Sequence, residues 1–191
     1  MTTPRTLIAI VGVLAASLTL SACSPAEGDS DAGTSSSSTE AFNDQDVMFA
    51  RMMVPHHEQA VEMSDMILAK DGVDPDVTEI AQQIRDAQQP EIEQMEGWLD
   101  DWDSSMDMGD MDHGMDGMMS DDDMGELDAA PADTASALFL EQMIEHHEGA
   151  IDMAQDELDD GEYPDALQLA ETITETQQSE IERMQELLAQ R

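Results

Sequence analysis

The sequence is poor in basic residues, aromatic residues and cysteine, and each shortage excludes a class of protein. Only 6 Lys and Arg stand against 45 Asp and Glu, for a formal net charge of −39. Nucleic acid is therefore excluded as a partner, because binding its phosphates requires a basic surface. Aromatic residues make up 3% of the chain, so the core must be aliphatic and Met-rich, which suits helices better than sheets. The single cysteine, Cys23, allows neither an internal disulfide nor a thiolate metal cluster.

Long hydrophobic runs are also missing, and the short run at the amino terminus has the pattern of an export signal. Arg5 precedes an apolar run from Leu7 to Leu20, which is too short to span a membrane. The next residues, "LSAC" (20–23), resemble the bacterial lipobox, in which the cysteine is lipidated. We predict a lipoprotein signal peptide (1–22), lipidation of Cys23, and export with a lipid anchor to the outer face of the cell membrane or the periplasm. A plain secretory signal with an incidental cysteine is the alternative.

The composition and internal repeats of the remaining residues predict a tether followed by two similar halves. Residues 23–41 are rich in Ser, Asp and Gly and predict a flexible, disordered tether. "FARMMVPHHEQAVEM" (49–63) matches "FLEQMIEHHEGAIDM" (139–153), and "IAQQIRDAQQPEIEQMEGWL" (80–99) matches "LAETITETQQSEIERMQELL" (169–188). Each half has helical periodicity around a turn, so we expect an all-α four-helix bundle over residues 42–191. Repeat 1 spans 43–102 and repeat 2 spans 135–191, with helices near 44–70, 75–101, 135–159 and 164–190.

A Met- and Asp-rich linker, residues 103–134, separates the two repeats and shows no pattern at helical spacing. We interpret it as a long flexible crossover. Because such a segment has no core to fill, its methionines predict an auxiliary metal site, and compositional drift in an acidic loop is the alternative. The candidate ligands are Met106, Met108, Met111, His113, Met115, Met118, Met119 and Met124.

The histidine pairs fall on the predicted buried faces of the helices. Residues spaced by three, four and seven share one face, which places His56 at the centre of an apolar stripe and His57 on its flank. In an antiparallel hairpin, residues equidistant from the turn lie at the same height, so His56 should lie level with Gln88, and Met53 with Glu91. The second hairpin repeats this arrangement with His146, His147, Gln177, Met143 and Glu180.

Such a polar layer inside an apolar bundle must either bond to itself or bind something. A buried polar group without a partner costs about 1–3 kcal/mol, and a network of His, Glu and Gln hydrogen bonds is the structural interpretation. We favour a metal site, because imidazole suits copper and other transition metals and thioether is a soft ligand that favours Cu(I). The predicted metal ligands are His56, His57, His146, His147, Met53, Met63, Met143, Met153, Glu91 and Glu180, supported by Gln88 and Gln177.

Two doubled motifs also carry a resemblance to a known family. MxxHHxxAxxM occurs at 53–63 and 143–153, and IxxxQxxEIxxM at 84–95 and 173–184. They resemble the signature of bacterial secreted proteins known as domain of unknown function 305. The resemblance implies a ferritin-like four-helix bundle and an association of some relatives with copper. Ferritin-like di-iron proteins use a Glu-x-x-His motif, whereas Met53 and Met143 stand in place of that glutamate here.

The function predicted from these features is a cell-envelope lipoprotein that sequesters or hands on copper, most of all Cu(I). No catalytic residues are assigned, and its partners would be metal ions and the membrane that holds its anchor. One alternative is a ferritin-like di-metal oxidase using iron or manganese. The other is a structural lipoprotein that binds no metal.

Overall fold

The computed structural model describes residues 41–106 and 117–191. The predicted signal peptide, Cys23 and all but the last residue of the tether lie outside the described residues. So do four of the predicted linker ligands, Met108, Met111, His113 and Met115. None of the described helices is long and apolar enough to cross a membrane.

Five helices make up the described secondary structure. They are α1 (Asp44–Leu68), α2 (Pro75–Asp101), α3 (Asp121–Ala129), α4 (Ala132–Asp160) and α5 (Pro164–Ala189). Four of them match the predicted helices, and the predicted all-α fold is confirmed. Pro55 and Pro90 lie inside α1 and α2, and both helices continue through them.

Local sequence accounts for where the first two helices begin. The side chain of Asn43 accepts hydrogen bonds from the backbone N–H groups of Gln45 and Asp46, and the Asp46 carboxylate accepts one from the backbone of Asn43. This capping box satisfies N–H groups that have no partner within the helix. α2 begins with Pro75 directly after its cap, where the fixed φ of proline suits the first helical turn. Gly72, in the turn before it, has a φ of +86°, a conformation that favours glycine.

The four long helices form two antiparallel hairpins that pack on each other. α1 packs along α2 and α4 along α5, while α1 also faces α4 and α2 faces α5. One apolar cluster joins the C-terminal half of α1 to the N-terminal half of α4. A second cluster joins the N-terminal half of α1 to the C-terminal half of α4. α1 and α4 are therefore antiparallel. The chain must consequently pass along the length of the bundle between the end of α2 and the start of α4.

The described part of this crossover is more ordered than the sequence predicts. Residues 121–129 form α3, which begins with a capping box between Ser120 and Asp123. Met119 is buried in the core, and Met124 packs against the same cluster. The prediction that the linker is flexible and that its methionines lack a packing role is wrong for these residues. α3 has no visible periodicity because it buries a single side chain, Leu127.

The crossover is held against α1 and α4 by its backbone. The Gln59 amide donates to the Met119 carbonyl oxygen (2.9 Å) and accepts from the Met119 N–H (2.7 Å). Gly117 has a φ of +82°, and a Cβ there would lie 2.8 Å from the Glu145 carbonyl oxygen. The glycine backbone therefore packs directly on α4. Through these contacts the crossover covers the seam between α1 and α4.

Candidate metal centre

A layer of polar side chains separates the two apolar clusters midway along the bundle. On α1 the layer lies between Val54 and Ala60, and on α4 between Met143 and Ala150. It contains the side chains of His56, His57, Gln88, His146, His147 and Gln177, each at most 3% exposed. The hairpin geometry expected from the sequence therefore does bring both histidine pairs and both glutamines to one level.

His56 and His146 meet across the interface between the two repeats. Their ring centroids are 3.8 Å apart, with an angle of 41° between the ring planes. Both residues are fully buried. They occupy equivalent positions in the two copies of the motif, so the repeat places one imidazole from each half at the centre of the bundle.

His57 and His147 turn instead toward the second helix of their own hairpin. The Nε2 atom of His57 lies 2.8 Å from Oε2 of Glu91, and the Nε2 atom of His147 lies 2.7 Å from Oε2 of Glu180. The side chains of these glutamates are 16% and 13% exposed, whereas the two histidines are fully buried. The carboxylates predicted as metal ligands are thus bonded to imidazole here. A carboxylate in this position fixes the orientation of a histidine and increases its strength as a ligand.

Several buried atoms of the layer have no hydrogen-bond partner among the described residues. These atoms are Nδ1 of His57 and of His147, both amide atoms of Gln88, and Oε1 of Gln177. Each such group costs about 1–3 kcal/mol. The alternative prediction, a network of His, Glu and Gln hydrogen bonds that satisfies the whole layer, is therefore met only in part. The His–Glu bonds exist, but the centre of the layer keeps free lone pairs.

Burial also keeps the central imidazole neutral. The pKa of His146 lies well below its ordinary value, first because burial disfavours the charged ring and then because His56, His147 and His57 are close. A neutral imidazole retains a nitrogen lone pair, which is the form that binds a metal. The electrostatics of the layer therefore suit a ligand for a metal cation.

The predicted thioether ligands lie in the apolar clusters on the two sides of the layer. Met53 belongs to one cluster and Met63 and Met143 to the other, all fully buried, while Met153 is partly buried. Met95 and Met184 are also fully buried in the same two clusters. Both end the second motif, IxxxQxxEIxxM, and neither is assigned as a ligand.

The donor set decides which metals fit. Within residues 41–106 and 117–191, no three His, Cys, Asp or Glu side chains form a group that could hold a metal ion. The described residues in and beside this layer offer a metal imidazole together with another kind of ligand. Thioether is available on both sides, and imidazole with thioether suits Cu(I). The carboxylate-rich set of a di-iron centre is not assembled by the described residues.

The sequence comparison identifies the family. The model of the family described as "Domain of unknown function (DUF305)" matches residues 46–188. The chain belongs to the DUF305 family. The resemblance carried by the doubled motifs is thereby confirmed. No curated protein matches the chain.

Solved structures with this fold include family members and a copper-bound protein. A DUF305 protein from Streptomyces coelicolor, described as secreted, is 35% identical with a TM-score of 0.72, covering 76% of this chain and 93% of that chain. A DUF305 fragment from Deinococcus radiodurans is 30% identical with a TM-score of 0.71, covering 78% and 98%. CopM in its Cu(I)-bound form is 27% identical with a TM-score of 0.66, covering 76% and 96%. CopM is also described in Cu(II)-bound and Ag-bound forms.

Proposed function

We propose that this DUF305 protein binds copper as Cu(I) in the cell envelope and sequesters it or hands it on. The observation that carries the proposal is the buried pair His56 and His146, whose rings lie 3.8 Å apart between the two repeats. Beside them, Nδ1 of His57 and Nδ1 of His147 lack a hydrogen-bond partner among the described residues. Copper is the cargo in this proposal, and no catalytic step is assigned.

The ligand chemistry supports copper over iron or manganese. His56 and His146 would supply imidazole nitrogen, and Met53 and Met143 would supply thioether sulfur. The Nε2 atoms of His57 and His147 are held by Glu91 and Glu180. These two histidines would therefore either support the ligands without binding the metal or bind it through Nδ1. Similarity to CopM, which is described with Cu(I), Cu(II) and Ag bound, points in the same direction.

Apart from Met118, which is partly buried, the linker methionines fall into two groups in this proposal. Met106 is 42% exposed and could collect copper from solution, together with the candidate ligands of residues 107–116. Met119 and Met124 pack against the core, so their thioethers serve the fold first. An auxiliary copper site would therefore depend mainly on the methionines before Gly117.

Lipidation of Cys23 remains part of the proposal for the full chain. It rests on the "LSAC" pattern (20–23) and would keep the copper site at the outer face of the cell membrane or in the periplasm. Replacing Cys23 with Ser should move the protein from the membrane fraction to the soluble fraction of cells. A protein that is soluble with either residue would contradict the anchor.

The decisive experiment separates ligation from packing at the histidine pair. The double variant His56→Gln/His146→Gln keeps bulk inside the bundle, and His57 and His147 stay in place. We expect at least tenfold weaker binding of Cu(I) in competition with a chromophoric chelator, equivalent to about 1.4 kcal/mol. Copper should also cease to raise the melting temperature of this variant. If the variant binds Cu(I) as tightly as the parent, the central histidines are scaffolding and the structural alternative is correct.

A second pair of variants tests the thioethers with a matched control. Met53→Leu/Met143→Leu removes the proposed sulfur ligands, whereas Met95→Leu/Met184→Leu changes two methionines that are equally buried in the same clusters. Leucine keeps the volume close to that of methionine. We expect Cu(I) affinity to fall in the first variant and to stay near the parent value in the second. An equal effect in both would assign the methionines to packing.

A further inference from the structure

A pocket between α3 and α4 lies outside the histidine layer. Its volume is about 250 Å³, and it is lined by both α3 and α4 and by the end of the crossover before α3. A water molecule takes about 30 Å³ of liquid, so the pocket is far larger than a bare ion. The candidate copper site does not use it.

The charged lining of the pocket consists of carboxylates. They belong to Asp123 and Glu126 on α3 and to Glu141 and Glu145 on α4, and no basic side chain lines the pocket. The Asp123 carboxylate accepts from Ser120, whereas none of the three glutamates is paired with a basic residue in the described part of the chain. Glu141 and Glu145 are also one helical turn apart, where like charges repel. A bound cation would relieve this repulsion.

Gln142 gives the second and independent sign of a ligand. Its side chain is only 7% exposed and lines the pocket. Its amide nitrogen donates to the backbone oxygen of Asp123 (3.3 Å), but its Oε1 atom is buried without a hydrogen-bond partner. A buried acceptor of this kind is costly unless a donor reaches it. The ligand should therefore bring an N–H or O–H group as well as positive charge.

The apolar part of the lining completes the description of the ligand. Leu138, Met118 and Met119 form walls that suit an alkyl chain. The carboxylates do not form a group that could hold a metal ion, within residues 41–106 and 117–191. We propose that this pocket binds an alkylammonium group, with the charge among the carboxylates, an N–H donated to Gln142 Oε1, and the chain against Leu138 and the methionines. The group would belong to a free amine or to a lysine side chain of a partner protein.

The test is a titration of the full chain with 1,5-diaminopentane at about 0.15 M salt, where charges more than about 8 Å apart are screened. We expect the methyl NMR signals of Met118 and Met119 to shift. The neutral analogue 1,5-pentanediol, of equal length, should leave them unchanged. Equal shifts with the diol would show that the charge is not recognised and would overturn the proposal.

Matched variants separate the pocket from the acidic surface as a whole. Glu126→Gln/Glu141→Gln and, independently, Gln142→Met should each weaken binding about tenfold or more. The control Glu171→Gln/Glu175→Gln removes the same charge from exposed positions on α5 and should leave binding within about twofold of the parent. Equal weakening in the control, or none in either pocket variant, would reduce the effect to general electrostatics and overturn the proposal.

A second titration distinguishes the two sources of the group. Binding of Nα-acetyl-lysine amide with a similar shift would support a lysine side chain of a partner. Binding of the diamine alone would support a free amine. Failure of both ligands to shift the Met118 and Met119 signals would overturn the proposal, and it would leave the copper proposal untouched because neither experiment involves copper.

Discussion

The carboxyl group of Glu157 lies close to that of Asp46 inside the bundle, and both residues are fully buried. The Asp46 carboxylate also accepts hydrogen bonds from the backbone N–H groups of Asn43, Glu162 and Tyr163. It thereby joins the start of α1 to the turn between α4 and α5. Both oxygens of Asp46 are thus occupied by backbone donors, and its nearby carboxyl disfavours a negative charge on Glu157. Burial first, and then Asp46, raises the pKa of Glu157 to about 8.

Stability should therefore fall as pH rises toward the pKa of Glu157. The native carboxyl keeps its proton up to a pH of about 8, whereas the ordinary value is 4.5. Between these values the native state binds more protons than the unfolded state, so the contribution is full below 4.5 and is lost as pH rises to about 8. The slope from this group is at most about 1.4 kcal/mol per pH unit. Urea unfolding between pH 5 and about 8.5 measures it.

Replacing Glu157 with Gln provides the matched test, because an amide has nearly the shape of a protonated carboxyl group but does not titrate. We expect Glu157→Gln to flatten the dependence of stability on pH in this range. The exposed Glu175→Gln variant should keep the parent slope. Identical slopes in the parent and in Glu157→Gln would contradict the buried proton.

Gly117 should be intolerant of a side chain. Its φ of +82° strains any L residue, and a Cβ would lie 2.8 Å from the backbone of Glu145. We expect Gly117→Ala to cost about 1–3 kcal/mol of unfolding free energy. Gly125→Ala is the control, since nothing lies within 4 Å of a Cβ there and the residue is inside α3. That substitution should stabilise the protein by about 0.5–1 kcal/mol. Thermal unfolding of both variants decides whether the crossover packs on α4.

Met119 should behave as a core residue and Met106 as a surface residue, although both belong to the Met-rich linker. Met119 is 9% exposed within the apolar cluster, whereas Met106 is 42% exposed. We expect Met119→Ala to cost about 2–5 kcal/mol and Met106→Ala to change stability by less than about 0.5 kcal/mol. Chemical denaturation measures the difference. Equal, small effects would mean that residues 117–120 do not pack on the bundle.

Under the proposed function, the two His–Glu pairs should influence copper affinity by orienting the histidine rings. Glu91→Gln/Glu180→Gln removes the carboxylates that lie 2.8 Å and 2.7 Å from the histidine nitrogens. We expect Cu(I) affinity to fall about 10–100-fold, the usual effect of losing such an orienting partner. Glu93→Gln/Glu182→Gln alters exposed residues at repeat-related positions of the same helices and should leave affinity unchanged. Equal losses in both variants would exclude a specific role for the His–Glu pairs.

The helices and the level of the polar layer could be predicted because they depend on local rules. Helical periodicity located four helices, and equal distances from the turn placed His56 level with Gln88. The crossover could not be predicted in the same way. α3 buries only Leu127, and Met119 is held by a side chain 60 residues away, Gln59. Neither feature leaves a periodic pattern in the sequence.

By itself the sequence determined the two repeats, their helices, the faces that carry the histidines and the family to which the chain belongs. Only the tertiary structure decided which partner each histidine of a pair meets. His56 and His146 meet each other, while His57 and His147 bond to Glu91 and Glu180. The physical reason is that neighbouring residues on a helix point about 100° apart. Which direction leads to a second imidazole and which to a carboxylate depends on how the four helices are rotated and packed against one another.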